Sequence, residues 1–135
     1  MTDSRLPRAE RLRGKTAIDS LFAGGRSGFV YPFRYVWTVQ DAPEEGAAPV
    51  SVLVVAPKRN HKRAVKRNLL KRRTREAYRL NKSALIQAVP AGRTLHLALI
   101  YSSKEVEPYQ TIEDAVRKII AQLAAGISRG RNAGA

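Results

Sequence analysis

No cysteine occurs in this 135-residue chain, which excludes disulfides, thiolate metal sites and a thiol nucleophile. Long apolar runs are missing as well. The longest, around 52–56 and 97–101, fall far short of the ~20 residues a membrane-spanning helix needs. Proline and glycine are few, 7 and 9, so a low-complexity chain is excluded, and 44% hydrophobic residues suffice for a core. Acids are scarce too: 11 Asp and Glu stand against 25 Lys and Arg, a formal charge of +14. The segment after Met1 is polar and arginine-rich (Arg5, Arg8, Arg11, Arg13) without an apolar centre, which argues against secretion. Asp3, Glu10 and Asp19 argue against a transit peptide. A soluble cytoplasmic protein is expected, one domain over residues 1–135, ordered from about 8 to 127 between a flexible N-terminal arm and a flexible 128–135 tail.

The positive charge is concentrated. Between Lys58 and Arg79 stand eleven Lys or Arg and one acid, Glu76, a net +10 of the total +14. Phosphate explains the sign, because each phosphate neutralised by Lys or Arg releases condensed counterions. Residues 62–80 contain no Gly or Pro and are rich in good helix formers, so they are expected to be helical, with Arg72–Glu76 as a favourable pair. Ala64, Asn68, Lys71, Arg72, Arg75 and Arg79 then share one arc, a comb of cations with an amide among them. Arginine grips phosphate with a planar fork, and asparagine suits 2′-hydroxyls and base edges. A solvated helix face mixes signs; this one does not. The buried side is expected to be Val65, Leu69, Leu70, Ala77 and Leu80, with Lys66 and Arg73 projecting into the same arc and covering apolar surface with their stems. No bulky apolar stripe accompanies the charge, which argues against a membrane surface as the partner.

Around the basic helix the pattern implies an α/β (α+β) two-layer domain, in the order α-β-β-α-β-α, with a small mixed sheet. Thr16-Ala17-Ile18-Asp19 resembles a capping box, and Gly24-Gly25 can stop the helix it opens, on which Ile18, Leu21 and Phe22 share a face. Residues 29–39 alternate as one strand, with Phe29, Tyr31, Phe33, Tyr35, Trp37 and Val39 on one side, expected as core or with one end of the row exposed for base stacking; Pro32 demands an edge or an irregularity. After the acidic loop 41–46, Val50 to Ala56 forms a second strand, expected to pair with the first as an antiparallel hairpin. A third strand runs through Leu95, Leu97, Leu99 and Tyr101, and Thr111 is placed to cap a last helix with Ile112, Val116, Ile119, Ile120, Leu123 and Ile127 on its buried face. Catalytic groups do not assemble: His61 and His96 are isolated, Glu44-Glu45 and Glu113-Asp114 are adjacent pairs unsuited to a metal, and no glycine-rich phosphate loop follows a strand. The charge serves binding, and a reaction must be supplied elsewhere.

The run Ala64-Val65-Lys66-Arg67-Asn68-Leu69-Leu70-Lys71-Arg72-Arg73-Thr74-Arg75-Glu76-Ala77-Tyr78-Arg79 closely resembles the arginine- and asparagine-rich helix of the bacterial ribonuclease P protein subunit. Arg11-Leu12-Arg13 leading to Leu21-Phe22 and Gly25, Val55-Ala56-Pro57-Lys58-Arg59, and Leu99-Ile100-Tyr101 resemble its flanking elements, from about residue 8 to 125. The resemblance implies pairing with a large catalytic RNA that removes the 5′ leader from precursor tRNA. That RNA uses Mg²⁺, which it mainly holds itself, to activate water, with no organic cofactor and no obligate protein partner. It implies RNA-subunit contacts at Arg67, Asn68, Lys71, Arg72, Arg75 and Arg79, flanked by Lys58, Arg59, Lys62 and Arg63, and a leader cleft at Ile18, Phe22 and Val36.

The chain departs from the family pattern at three points. Leu69 stands where many relatives carry another Arg, Arg73 replaces a commonly apolar position, and Ile18 is not aromatic, which weakens base stacking on that side. A general RNA-binding protein, such as a ribosomal protein or RNA chaperone, fits the physics of a basic helix equally well; the ordered motif separates the two. A DNA-binding regulator needs varied base-reading side chains, whereas nearly everything on this face is cationic.

Overall fold

The computed structural model describes residues 7–42 and 47–133. A short 3₁₀ turn at Arg8–Glu10 leads into helix α1 (Lys15–Gly24), strands β1 (Arg26–Val30), β2 (Phe33–Asp41) and β3 (Val50–Val55), helices α2 (Ala64–Asn81) and α3 (Ser83–Ala88), strand β4 (Arg93–Tyr101) and helix α4 (Tyr109–Ala133). The expected α+β class with a small mixed sheet is the architecture found; its strand order is β1-β2-β4-β3.

Two expectations about the sheet are corrected. Residues 29–39 form two strands: the chain reverses at Tyr31-Pro32, a cis peptide, and β1 pairs antiparallel with β2. Because Val30 pairs with Phe33 across this two-residue reversal, parity switches there: Phe29 joins the face of Arg34 and Val36, opposite Phe33 and Tyr35. Phe29 and Tyr31 consequently lie outside the core, exposed on the edge strand and its turn. The stretch 50–55 makes no hairpin with β2. It pairs in parallel with β4, which inserts between them, and α2 and α3 supply the crossover that parallel pairing requires. Centrally placed β4 is buried on both faces, which is why it reads as a nearly continuous apolar run. Of the acidic loop, residues 43–46 and with them Glu44-Glu45 lie outside the described residues.

The main core lies on one sheet face. Phe33, Tyr35, Val52, Leu97 and Leu99 pack there against Leu70, Ala77 and Tyr78 of α2, Leu85 of α3 and the expected stripe of α4, all six of whose members are buried. On the opposite face Leu12 and Leu21 cover Val36, Ala98 and Ile100. The N-terminal segment is tied to the β3 edge, where the Leu12 N–H donates to the Val52 carbonyl (2.9 Å). From there the chain crosses the sheet as α1 and enters β1 at the far edge. Gly25 makes this crossing possible: a Cβ there would stand 2.5 Å from the Leu21 carbonyl oxygen and 2.7 Å from Val36 Cγ1.

Helix ends differ from expectation at three places. Gly14, at φ 92°, precedes α1 and no side chain caps it, so Thr16 lies inside the first turn. Helix α4 begins at Tyr109, two residues before Thr111, and continues to Ala133, past the Ser128 at which the tail was expected to start.

Helix α2 is rolled about its axis relative to the apolar count. Its buried residues are Leu70, Thr74, Ala77 and Tyr78, roughly a quarter turn from the expected face, leaving Val65 79% and Leu80 56% exposed. The Tyr78 ring buries more area than Leu80 offers, and Thr74 is admitted because its hydroxyl donates to the Leu70 carbonyl (2.7 Å). Arg73 is half-buried as foreseen, its guanidinium donating to the Glu107 carbonyl (2.8 Å), while Lys66 is exposed.

Candidate nucleic-acid interface

The basic segment begins in a turn pinned from both sides. The N–H groups of Asn60 and His61 donate to the Pro57 carbonyl (3.1 and 3.3 Å), and buried His61 donates from Nε2 to the Ser103 carbonyl at 2.8 Å. This turn holds Lys58 and Arg59 outward at its tip, and Lys62 and Arg63 follow, exposed, before α2.

Along α2 the cations divide into two kinds. Asn68 and Arg72 are exposed, and Lys71 and Arg75 sit half-buried on the flank; none of the four side chains makes a hydrogen bond or ion pair among the described residues. Arg67 and Arg79 are engaged. Arg67 Nη1 donates to the carbonyls of His61 (2.9 Å) and Lys62 (2.7 Å), capping the turn that feeds the helix. Arg79 is bound by Glu76, so the acid expected to support Arg72 instead pairs three residues onward.

A second basic element joins the face. Lys82 at the end of α2 donates to Glu10 (2.7 Å), which clamps the N-terminal segment alongside the helix. Burial, and then the positive charge of Arg11, lower the pKa of Arg75, so two guanidinium groups share this flank. The arginine density of the N-terminal segment is visible in the sequence, whereas the placement of Arg11 near Arg75 is not. The single acid between Arg8 and Arg13, Glu10, is what the fold pairs with Lys82.

The three expected cleft residues do not form one open surface. Phe22 is 45% exposed on α1, Ile18 is half-buried, and Val36 is 3% exposed beneath Leu21 and Gly25. Val36 is therefore part of the small core and is corrected from an open cleft wall to its support. Among the described residues no group of three His, Asp or Glu side chains converges to hold a metal ion, and no helix is long and apolar enough to cross a membrane.

Fold and face together define a small α+β nucleic-acid-binding protein. The family model described as Ribonuclease P matches residues 6–124, and the chain belongs to that family. The ribonuclease P protein component of Porphyromonas gingivalis is 37% identical over 124 residues, covering 90% of this chain and 88% of its own length. That of Chlorobaculum tepidum is 42% identical over 108 residues, covering 73% and 68%. Two solved structures share the fold: the RNase P protein of Thermotoga maritima (TM-score 0.63, 22% identity, 84% of this chain and 96% of that one) and that of Staphylococcus aureus (0.62, 16%, 87% and 96%). Family membership makes this chain an RNA-binding component of the tRNA-processing ribonucleoprotein nuclease.

Proposed function

We propose that this chain binds the catalytic RNA of ribonuclease P through the comb of Lys58, Arg59, Lys62, Arg63, Asn68, Lys71, Arg72 and Arg75, and guides the 5′ leader of precursor tRNA along the α1 side of the sheet. The observation that carries this reading is the uncompensated charge. In the whole segment from Lys58 to Arg79 the single acid, Glu76, is spent on Arg79, so the outward cations remain available for phosphate. Arg67 contributes indirectly by holding the Lys62 turn, and Arg79 lies at the margin.

In this reading the RNA performs the chemistry. Mg²⁺ held mainly by that RNA supplies the activated water and neutralises the developing charge on the phosphodiester. The protein's own side chains screen phosphate repulsion and orient the leader. The expected site of action is the cytoplasm, with precursor tRNA as substrate.

Reconstitution tests this. Added to a bacterial ribonuclease P RNA at low Mg²⁺, the protein should restore accurate removal of the leader, whereas RNA-free protein should cut nothing. Leader cleavage by the purified protein alone, or no stimulation of the RNA, would refute the proposed division of labour.

A further inference from the structure

Cross-strand register sets Phe29 of β1 beside Arg34 of β2, Arg34 beside Ile100 of β4, and Ile100 beside Val55 of β3. One row of side chains thus crosses all four strands. Ile100 and Val55 pack with Leu12 and Leu21, which places the row on the α1 face, away from the main core. The adjacent row contains Val36 and Ala98, both buried under α1. At Phe29 and Arg34 that cover ends: Phe29 is 61% exposed, and the guanidinium of exposed Arg34 makes no hydrogen bond or ion pair among the described residues.

A single exposed phenylalanine has no particular meaning on a protein surface. Its neighbour gives it one. Strands lie about 4.8 Å apart, so an aromatic face and an uncommitted guanidinium stand side by side, one suited to a base and the other to its phosphate. The strand residues sharing this face include no carboxylate to compete for Arg34. At the other end of the row, Val55 leads through Ala56-Pro57 to exposed Lys58 and Arg59. The row thus carries one cation beside its aromatic end and leads past its apolar end to two more, and its four strands span three intervals, about 14 Å.

We propose that this row is a stacking-and-clamp subsite for single-stranded RNA, in which Phe29 stacks on a leader base and Arg34 holds a neighbouring phosphate. The proposal rests on the reading that the α1 side receives the leader, and it extends that surface across the sheet to the β1 edge, beyond Ile18 and Phe22.

The test uses the full chain assembled with a bacterial ribonuclease P RNA, comparing affinity for long-leader precursor tRNA and for mature tRNA. Phe29→Ala should weaken precursor binding about fivefold or more, and Phe29→Tyr should retain it, because a phenol stacks as phenyl does. Arg34→Gln should lower the slope of log affinity against log salt for the precursor by about 0.7. Mature tRNA should bind all variants equally, and the exposure of both positions should leave melting temperatures unchanged. If Phe29→Ala unfolds, Arg34→Gln carries the test alone. Wild-type precursor affinity and salt slope in the variants, while the unaltered assembly still prefers precursor to mature tRNA, overturn the subsite and leave the leader reading standing. Equal losses for both tRNAs also overturn it, because the row then lies against the catalytic RNA. An unaltered assembly with no preference for precursor removes the leader reading and the subsite together.

Discussion

Glu76 accepts two hydrogen bonds from Arg79, one from Nη2 to Oε1 at 2.7 Å and one from Nε to Oε2 at 3.1 Å. The pairing ends the comb electrostatically one turn before the helix itself ends. Arg72, two turns earlier and exposed, forms no ion pair among the described residues. Arg72→Ala should therefore lower the salt slope of RNA binding by about 0.7–0.9, the loss of one phosphate contact. Arg79→Ala should lower it by much less, because its charge is already compensated. Titrations of the catalytic RNA across a salt series distinguish the two, and equal slope changes would refute the assignment.

Arg67 occupies the comb's sequence position while serving the fold. Its guanidinium caps two carbonyls at the entrance to α2, and charged donors make the stronger hydrogen bonds. Arg67→Ala should cost about 1–2 kcal/mol of stability, whereas Lys71→Ala, with no such partners, should cost about 0.5 or less. Arg67→Lys should recover the charge and part of the lost stability, since both bonds leave the single nitrogen Nη1 and an ammonium also carries several donors on one nitrogen. Urea unfolding of the three variants measures this. A wild-type midpoint for Arg67→Ala would return Arg67 to the group of RNA-contacting side chains.

How much of this was legible in the sequence follows from what periodicity encodes. The stripe of α4 from Ile112 to Ile127 was read correctly because an amphipathic helix carries its buried face as a repeat. The basic helix was read because charge order survives without knowledge of neighbours. The partner of Val50–Val55 was not, since alternation states which face a residue joins and never which strand lies beside it. The roll of α2 escaped because Thr74 and Tyr78 were not counted as apolar, although a threonine bonded to its own helix and a tyrosine ring bury readily. At Val36 the register was right and the burial wrong, because α1 was expected beside the sheet strip that it in fact covers.

His96 sits half-buried on β4, opposite Thr38 and Ser51 in register. Burial lowers its pKa from the ordinary 6.5. The folded state thus resists a proton that the unfolded chain accepts, so its contribution is complete above pH 6.5 and is lost as the pH falls from there toward the lower folded value. His96→Leu should flatten the stability profile between about pH 7.5 and 5.5, the range in which few carboxylates titrate. Unfolding curves at the two ends provide the check; parallel losses in variant and wild type would show that other groups control the slope.

Phe22 and Val36 provide the sharpest contrast on the α1 side, because both were expected to line the leader cleft and only one is open. Phe22 is 45% exposed, so Phe22→Ala removes little buried area, and the melting temperature should hardly move. If a leader base stacks on its ring, the assembled enzyme should lose about fivefold or more in affinity for precursor tRNA and nothing for mature tRNA. Val36, packed beneath Leu21 with the Gly25 backbone against it, should behave as core. Val36→Ala deletes two methyl groups from a closed space and should cost about 2 kcal/mol of stability, without distinguishing the two tRNAs. Thermal unfolding and paired binding assays on both variants separate support from contact. A large stability loss in Phe22→Ala, with both tRNAs weakened alike, would place Phe22 in the core beside Val36 and leave helix α1 itself without a stacking residue.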